Sequence, residues 1–333
     1  MTDSGVEVSL GLWQDRPADE VLQTAQLADD LGYRRVWVGE MATWDAFALA
    51  TRVGQTFSTA GLVLGPFPVA VRDPMMIAMG AASVAALTGR EVSVALGTSS
   101  TTVVERWHGR DRRRGAAALA EAAQAVRPLL DGAKAEFAGE VVRTSGYRLR
   151  LAAPRSELVI AAFGRRAVDT AARYADRMVL NLVDPPLVGQ LVEQLAVAAG
   201  RIGRPRPRVA VWGTAAVDPG SAALEQLRRG VLGYLAAPGY SDMFVRAGFA
   251  DLVRYAMSGP HPRDLLERIP DELCTQVGLV GDRAAVRDRI DQFRRAGADD
   301  VVVVPSATDD DPAGAHTLAE IAAIRDGGTD QGR

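Results

Sequence analysis

The chain has 333 residues, of which 48% are hydrophobic and 24% charged, and its formal net charge is −3. This is the balance of a folded globular protein, and it excludes collagen-like, coiled-coil and disordered classes. Without a basic excess, nucleic acid is not an expected partner, and small neutral or mildly anionic molecules remain.

Short β-branched runs alternate with longer alanine- and leucine-rich amphipathic segments, the pattern of parallel strands joined by crossover helices. The first strand is predicted over Val6–Leu12. A helix follows over Ala18–Leu31, with Val21, Leu22, Ala25, Ala28 and Leu31 on one face and Gly32 to end it. Strands are predicted over Arg35–Gly39 and Ala60–Gly65. The apolar stretch Met75–Leu87 is too short to cross a hydrocarbon core of about 30 Å, so it reads as a buried helix and not a membrane span. The fourth strand is Val92–Gly97, and the insertion Asp131–Glu157, with Phe137, Tyr147 and Leu149, suits a hairpin. Strands Leu158–Phe163, Met178–Leu182 and Val209–Gly213 come next. The largest insertion, Pro219–Gln276, is helical in pattern, with breaks at Ala237-Pro238-Gly239 and Gly259-Pro260-His261-Pro262. Asp282 is the expected N-cap of a helix over Arg283–Gly297 whose stripe is Ala285, Val286, Ile290 and Phe293. The eighth strand is Val301–Val304, and a tail is expected from about Asp326.

Several of these strands are apolar throughout, as strands covered on both faces are. Eight strand–helix units closing on themselves make an α/β (β/α)8 TIM barrel, for which about 250 residues suffice. The surplus falls in insertions, the largest between strands 7 and 8. One domain spanning 1–333 is expected.

Rare residues exclude further chemistry. The sole cysteine, Cys274, rules out an intrachain disulfide and reads as a small buried hydrophobe. His108, His261 and His316 are too widely spaced for a helical metal pair, so no metal site is expected. No basic, apolar leader opens the chain, and a cytoplasmic protein is expected. Dinucleotide-binding glycine motifs, a Walker loop and a nucleophile elbow are absent.

In a TIM barrel the chemistry sits where the strands end. The second strand leads into Glu40, Met41, Trp44 and Asp45: two carboxylates beside a stacking surface. Salt bridging for Glu40 and helix capping for Asp45 are the plainer roles. The third strand ends at Gly65-Pro66, where proline makes a cis bond inexpensive and a bulge into the barrel mouth feasible. The fourth runs into Gly97, Thr98 and Ser99, within a run of hydroxyls through Thr102 suited to a polar heterocycle or a phosphate. Trp107 beside it reads as a packing residue, and His108 as either a proton donor or a structural hydrogen-bonding group. After the fifth strand, Gly164, Arg165 and Arg166 open a helix whose free N–H groups and dipole suit a phosphate, or else form a tight turn with solvated arginines.

Leu31-Gly32-Tyr33 through Val38-Gly39-Glu40, Arg72-Asp73-Pro74, Leu96-Gly97-Thr98-Ser99, Trp107-His108-Gly109, Tyr147-Arg148-Leu149, Ala175-Asp176-Arg177 and Leu279-Val280-Gly281, in that order, resemble the luciferase-like monooxygenase superfamily. Within it the chain is similar to the actinobacterial branch of coenzyme F420-dependent oxidoreductases, over roughly Val6 to Ile324. The resemblance implies a barrel holding a flavin or deazaflavin at the strand C-termini. The coenzyme phosphate would lie at Gly164, Arg165 and Arg166. The ring would rest on a bulge at Gly65 and Pro66, flanked by Gly97, Thr98 and Ser99. Trp13, Met41 and Trp44 are the expected substrate contacts. Relatives are commonly dimers, so a homodimer is expected too. Three positions depart from the pattern: Pro66 stands at a bulge that is non-prolyl in relatives, Met41 where sugar-phosphate and methanopterin relatives carry a histidine, and Thr102 where the sugar-phosphate enzymes carry a glutamate.

The expected function is therefore hydride transfer between the C5 carbon of coenzyme F420 and a small organic substrate. Glu40 is the first candidate for proton transfer or substrate orientation, with His108 and Asp45 as substitutes. A monooxygenase dependent on flavin mononucleotide (FMN) is the alternative. A non-catalytic flavin-binding protein is a second alternative, motivated by Met41 and Thr102.

Overall fold

The computed structural model describes residues 5–40 and 42–327. In chain order the elements are β1 (Gly5–Ser9), α1 (Glu20–Asp30), β2 (Arg35–Val38), α2 (Ala46–Gly54), β3 (Gly61–Pro68), α3 (Pro74–Thr88), β4 (Val92–Gly97), a π-helical segment (Thr102–Trp107) and α4 (Gly115–Leu130). The hairpin strands β5 (Glu136–Ala138) and β6 (Arg143–Ser145) precede β7 (Leu158–Ala161), α5 (Arg165–Tyr174), β8 (Arg177–Asn181), α6 (Pro185–Gly200) and β9 (Arg208–Val217). The large insertion holds α7 (Ser221–Leu232), α8 (Tyr240–Arg246), α9 (Ala250–Met257), α10 (Pro262–Arg268) and α11 (Asp271–Val277). The chain closes with β10 (Leu279–Gly281), α12 (Arg283–Arg295), β11 (Asp300–Pro305) and α13 (Ala315–Gly327).

Among the described residues eight parallel strands, in the order β9-β11-β1-β2-β3-β4-β7-β8, form a barrel that the β8–β9 pairing closes. The turns that feed its helices are built from local chemistry. Asp45 accepts from Phe47 N and Ala48 N at 3.0 Å, and Asp73, Asp184 and Asp282 accept from Met76 N, Leu187 N and Ala285 N at 2.8, 2.9 and 2.8 Å. Each carboxylate satisfies a donor that the first helical turn leaves unpaired. Gly32 and Gly297 follow α1 and α12 with φ of 73° and 100°, ending those helices where glycine was expected to.

The structure corrects the sequence reading at these four points. Strand β9 runs to Val217, past its predicted end at Gly213, because the unforeseen strand β10 pairs with it, Leu279 opposite Ala215. Ala285 is exposed, so α12 packs through Val286, Ile290 and Phe293 alone. Asp326 belongs to α13, and the expected tail beyond it lies outside the described residues. Finally, α3 is buried along Ile77, Ala78, Ala81, Ala82 and Val84 but exposes Met76 (40%), Met79 (45%) and Leu87 (62%). A helix apolar all round reads as buried from sequence, yet here one face stays open.

Strand alternation stacks the barrel interior in layers. The middle layer is apolar, from Trp37, Val63, Ala95, Val159, Val179, Ala210 and Val302. Below it, at the strand N-termini, Arg177 is fully buried and bonds Glu7 at 2.9 Å and Glu157 at 2.7 Å. Arg208 bonds Asp300 at 2.6 Å, Arg35 bonds Glu157 at 2.7 Å, and Trp37 Nε1 donates to Glu7 at 2.6 Å. Burial is the largest influence on this network. It raises the Glu7 and Glu157 carboxyls and, with the charge of Glu7 added, pushes Asp300 up to about 7. The network plugs the closed end and leaves the opposite end for a ligand. No helix of the described residues is long and apolar enough to cross a membrane.

Candidate active site

Two residues beyond each member of the middle layer lie the side chains of the open end. Gly39, Gly65, Gly97 and Ala161 form one half of that layer and Asn181, Trp212 and Val304 the other, while Ser9, two residues beyond Glu7 and in register with Trp37, borders the floor from the middle layer. The first half is a floor with almost no side chains. A Cβ added to Gly97 would stand 3.2 Å from the Pro66 Cβ and 3.5 Å from the Ala161 Cβ, and one on Gly39 would be 4.0 Å from the Gly65 carbonyl. The Gly65–Pro66 bond is cis, and the β3–β4 register shifts between Leu64 and Phe67, so the expected bulge is present. Ser9 is fully buried, and its hydroxyl has no hydrogen-bond partner. A buried polar group left unpaired costs about 1–3 kcal/mol, and among the described residues nothing offsets that cost at Ser9.

Around this floor, Arg72 grips both candidate carboxylates. Its Nε bonds Glu40 Oε2 at 2.8 Å, while Nη2 reaches Glu40 Oε1 and Asp45 Oδ2. The guanidinium lies 4.9 Å from the Phe47 ring centroid and 5.6 Å from that of Phe67, a cation–π cradle that fixes it in place. The bond to Glu40 and, less strongly, that to Asp45 hold Arg72 charged against its burial. Partial burial opposes ionisation of Asp45, but the Ala48 N–H, Arg72 and the Phe47 N–H outweigh it and lower its carboxyl. Salt bridging for Glu40 and capping for Asp45 are thus both present. The partner, Arg72, stands 32 residues from Glu40 in sequence.

Trp13 and Trp44 come together around one recess with Arg16 and Thr43. Their indole N–H groups are satisfied by the Pro305 and Ala18 carbonyls at 2.9 and 2.8 Å, which leaves the ring faces for contact. Met41, the third expected substrate contact, lies outside the described residues. His108 is exposed at the end of the π-helical segment, and its side chain meets no described partner. Trp107 is 49% exposed, which overturns its reading as a packing residue. The segment follows β4 directly, and π-helical turns are commonly found at functional sites.

Thr98 and Ser99 are half-buried beside Gly97, with Ser99 in the left-handed region at φ 56° and its carbonyl held by Arg112 Nε at 2.7 Å. At the start of α5, Gly164 offers no side-chain cap, and Arg165 and Arg166 are exposed with no described partner. Free donors at a helix N-terminus beside two exposed cations are the chemistry that an anion would require. Sequence reading missed Ser9, Gly39, Ala161, Asn181 and Trp212. The period-two signal that would have found them runs from Glu7, Trp37, Val159, Val179 and Ala210.

Residues 3–300 match the luciferase-like monooxygenase family. The chain belongs to that family. It is 24% identical to a protein of Mycobacterium tuberculosis provisionally named a coenzyme F420-dependent oxidoreductase, covering 91% of this chain and 95% of that one. The fold is also that of the coenzyme F420-dependent tetrahydromethanopterin reductase from Methanopyrus kandleri, with a TM-score of 0.80 at 17% identity and coverage of 96% and 97%. The oxygenating constituent of 3,6-diketocamphane monooxygenase from Pseudomonas putida, in complex with FMN, gives 0.69 at 16% identity and covers 96% of each chain.

Proposed function

We propose that the protein is an oxidoreductase that uses coenzyme F420 to move a hydride between ring carbon C5 and a small organic substrate. The observation that carries this reading is the bare floor of Gly39, Gly65, Gly97 and Ala161, with the buried unpaired Ser9 hydroxyl at its edge. A planar fused ring with polar edges fits such a floor. Gly97, Thr98 and Ser99 would flank the ring, and Arg165, Arg166 and the first-turn N–H groups of α5 would hold the phosphate. When bound, the coenzyme supplies the two-electron chemistry, and the protein supplies orientation and electrostatics.

The chain's own contribution follows from the geometry. Arg72 fixes Glu40 at the rim, where the carboxylate orients the substrate or carries its proton. Trp13 and Trp44 wall the substrate side. The whole chain acts as one domain in the cytoplasm. Its expected protein partner is a second copy, seated on the open α3 face. The M. tuberculosis relative supports the coenzyme assignment.

The test is titration with oxidised and reduced coenzyme F420 and, separately, with FMN. Saturable change in deazaflavin fluorescence, weakened about tenfold or more by Arg165→Glu with Arg166→Glu, is expected. Saturable FMN binding and oxygen consumption with an external flavin reductase, without any response to F420, would overturn the proposal in favour of the monooxygenase reading.

A further inference from the structure

The connection between α7 and α8 folds back over the half of the barrel mouth that the glycine floor leaves out. The Tyr240 ring stacks on Phe163 with centroids 4.6 Å apart and planes 28° from parallel, and Tyr234 packs edge-on against Tyr240 at 4.8 Å. Gly239, with φ 89°, lets the turn approach this closely, since a Cβ there would lie 3.1 Å from the Phe163 ring. Beneath the stack stands Asn181, the last residue of β8 and a member of the open-end layer. Its Nδ2 donates to the Tyr240 hydroxyl at 3.4 Å, and its amide also bonds Tyr234. Among the described residues the Tyr240 hydroxyl has no hydrogen-bond partner other than Asn181. Trp212 shares the layer and packs on Trp37 at 5.6 Å. Burial raises both phenols above the ordinary tyrosine range, so they stay neutral donors wherever the protein is folded.

Amide, phenols and aromatic faces converge here, and none of these groups carries a charge. Phe163, which precedes Gly164, ties the cluster to the proposed anion site at the start of α5. We propose that Asn181, Tyr234 and Tyr240 form the substrate subsite, taking the carbonyl or hydroxyl oxygen of an uncharged, ring- or hydrocarbon-bodied compound. The proposal rests on the barrel-mouth reading above. It assigns recognition of the substrate oxygen to neutral donors, while Glu40 and Asp45 remain paired with Arg72. A charged substrate would lose its hydration here without a counter-charge, which disfavours it.

The test measures two affinities by calorimetry, for cyclohex-2-enone and for coenzyme F420. The wild type is expected to bind cyclohex-2-enone saturably, and cyclohexanecarboxylate at least about tenfold more weakly. Tyr240→Phe keeps the stack on Phe163 and removes one hydrogen bond, so ketone affinity should fall about tenfold while coenzyme affinity stays within about twofold. Asn181→Ala should act in the same direction, and Tyr234→Phe replaces it if that variant shows no cooperative thermal unfolding. The proposal is overturned if the wild type binds carboxylate in preference to ketone or binds no ketone. It is also overturned if the variants bind ketone unchanged, or lose coenzyme as much as ketone. Ketone binding that depends on Tyr240, in a protein that takes up no coenzyme F420, supports the subsite and removes the coenzyme assignment instead.

Discussion

Arg72 and Glu40 form a two-pronged ion pair at the rim of the barrel, Nε to Oε2 at 2.8 Å with Nη2 on the second oxygen, and the same guanidinium spans to Asp45. Planar guanidinium against planar carboxylate fixes distance and angle together. A group so held is positioned for chemistry, and its loss should register in turnover.

Glu40→Gln keeps the shape and removes the charge. Turnover is expected to fall by about 10² or more, the range of a lost proton-transfer group, with coenzyme affinity unchanged. Steady-state kinetics beside fluorescence titration check it. Loss of activity with intact coenzyme affinity would also dismiss the non-catalytic reading, whereas wild-type turnover would reduce Glu40 to an anchor for Arg72.

Ser9→Ala separates stability from binding. Removing a buried hydroxyl that has no partner relieves a cost of about 1 kcal/mol or more, so the melting temperature should hold or rise. Coenzyme affinity should drop at the same time, by about tenfold. A lower melting temperature with unchanged coenzyme affinity would mean that the hydroxyl serves the fold.

The buried network at the closed end sets a pH dependence. Burial lifts Asp300 from its ordinary value of 3.8 to about 7. A carboxyl raised in the folded state keeps its proton longer there than in the unfolded chain. Its contribution to stability is therefore full below about 4 and is lost as pH rises through about 7. Glu7 and Glu157, also raised by burial, act in the same sense. Glu20, Asp29 and Asp45 are lowered and act the other way, but only as pH falls below the ordinary carboxylate range. Between pH 5 and 8 the advantage of the wild type over Asp300→Asn in thermal unfolding should therefore shrink. An advantage that is flat or grows with pH would contradict the assignment.

The open face of α3 bears on assembly. Met76, Met79 and Leu87 are 40, 45 and 62% exposed on one helix, and an exposed apolar face is a candidate contact surface. Met79→Glu is expected to convert a dimer to a monomer in analytical ultracentrifugation without lowering the melting temperature of the monomer. A wild type that sediments as a monomer would leave the face unexplained.

Much of the barrel was legible because its signals are local. An aspartate before Pro74 or Arg283 and a glycine after Leu31 or Ala296 act within one turn, and β-branched runs mark strands wherever they lie. Strand β10 escaped notice because three residues carry no periodicity, and the open face of α3 because an apolar helix looks alike whether core or solvent lies beyond it. The helix start after Gly164 was legible for the same local reason as the caps.

The sequence by itself determined the eight-strand count, the helix starts and the loops that end at the barrel mouth, since propensity and period need only neighbours a few residues away. Only the tertiary structure decided which groups meet. Arg72 with Glu40, Arg177 with Glu7 and Asn181 with Tyr240 are 32, 170 and 59 residues apart, and a hydrogen bond or a desolvation cost depends on distances that closure of the barrel alone sets. The same closure turned Ser9 from an ordinary strand residue into a buried hydroxyl with no partner among the described residues, because a strand's inner face has no identity until the other seven strands surround it.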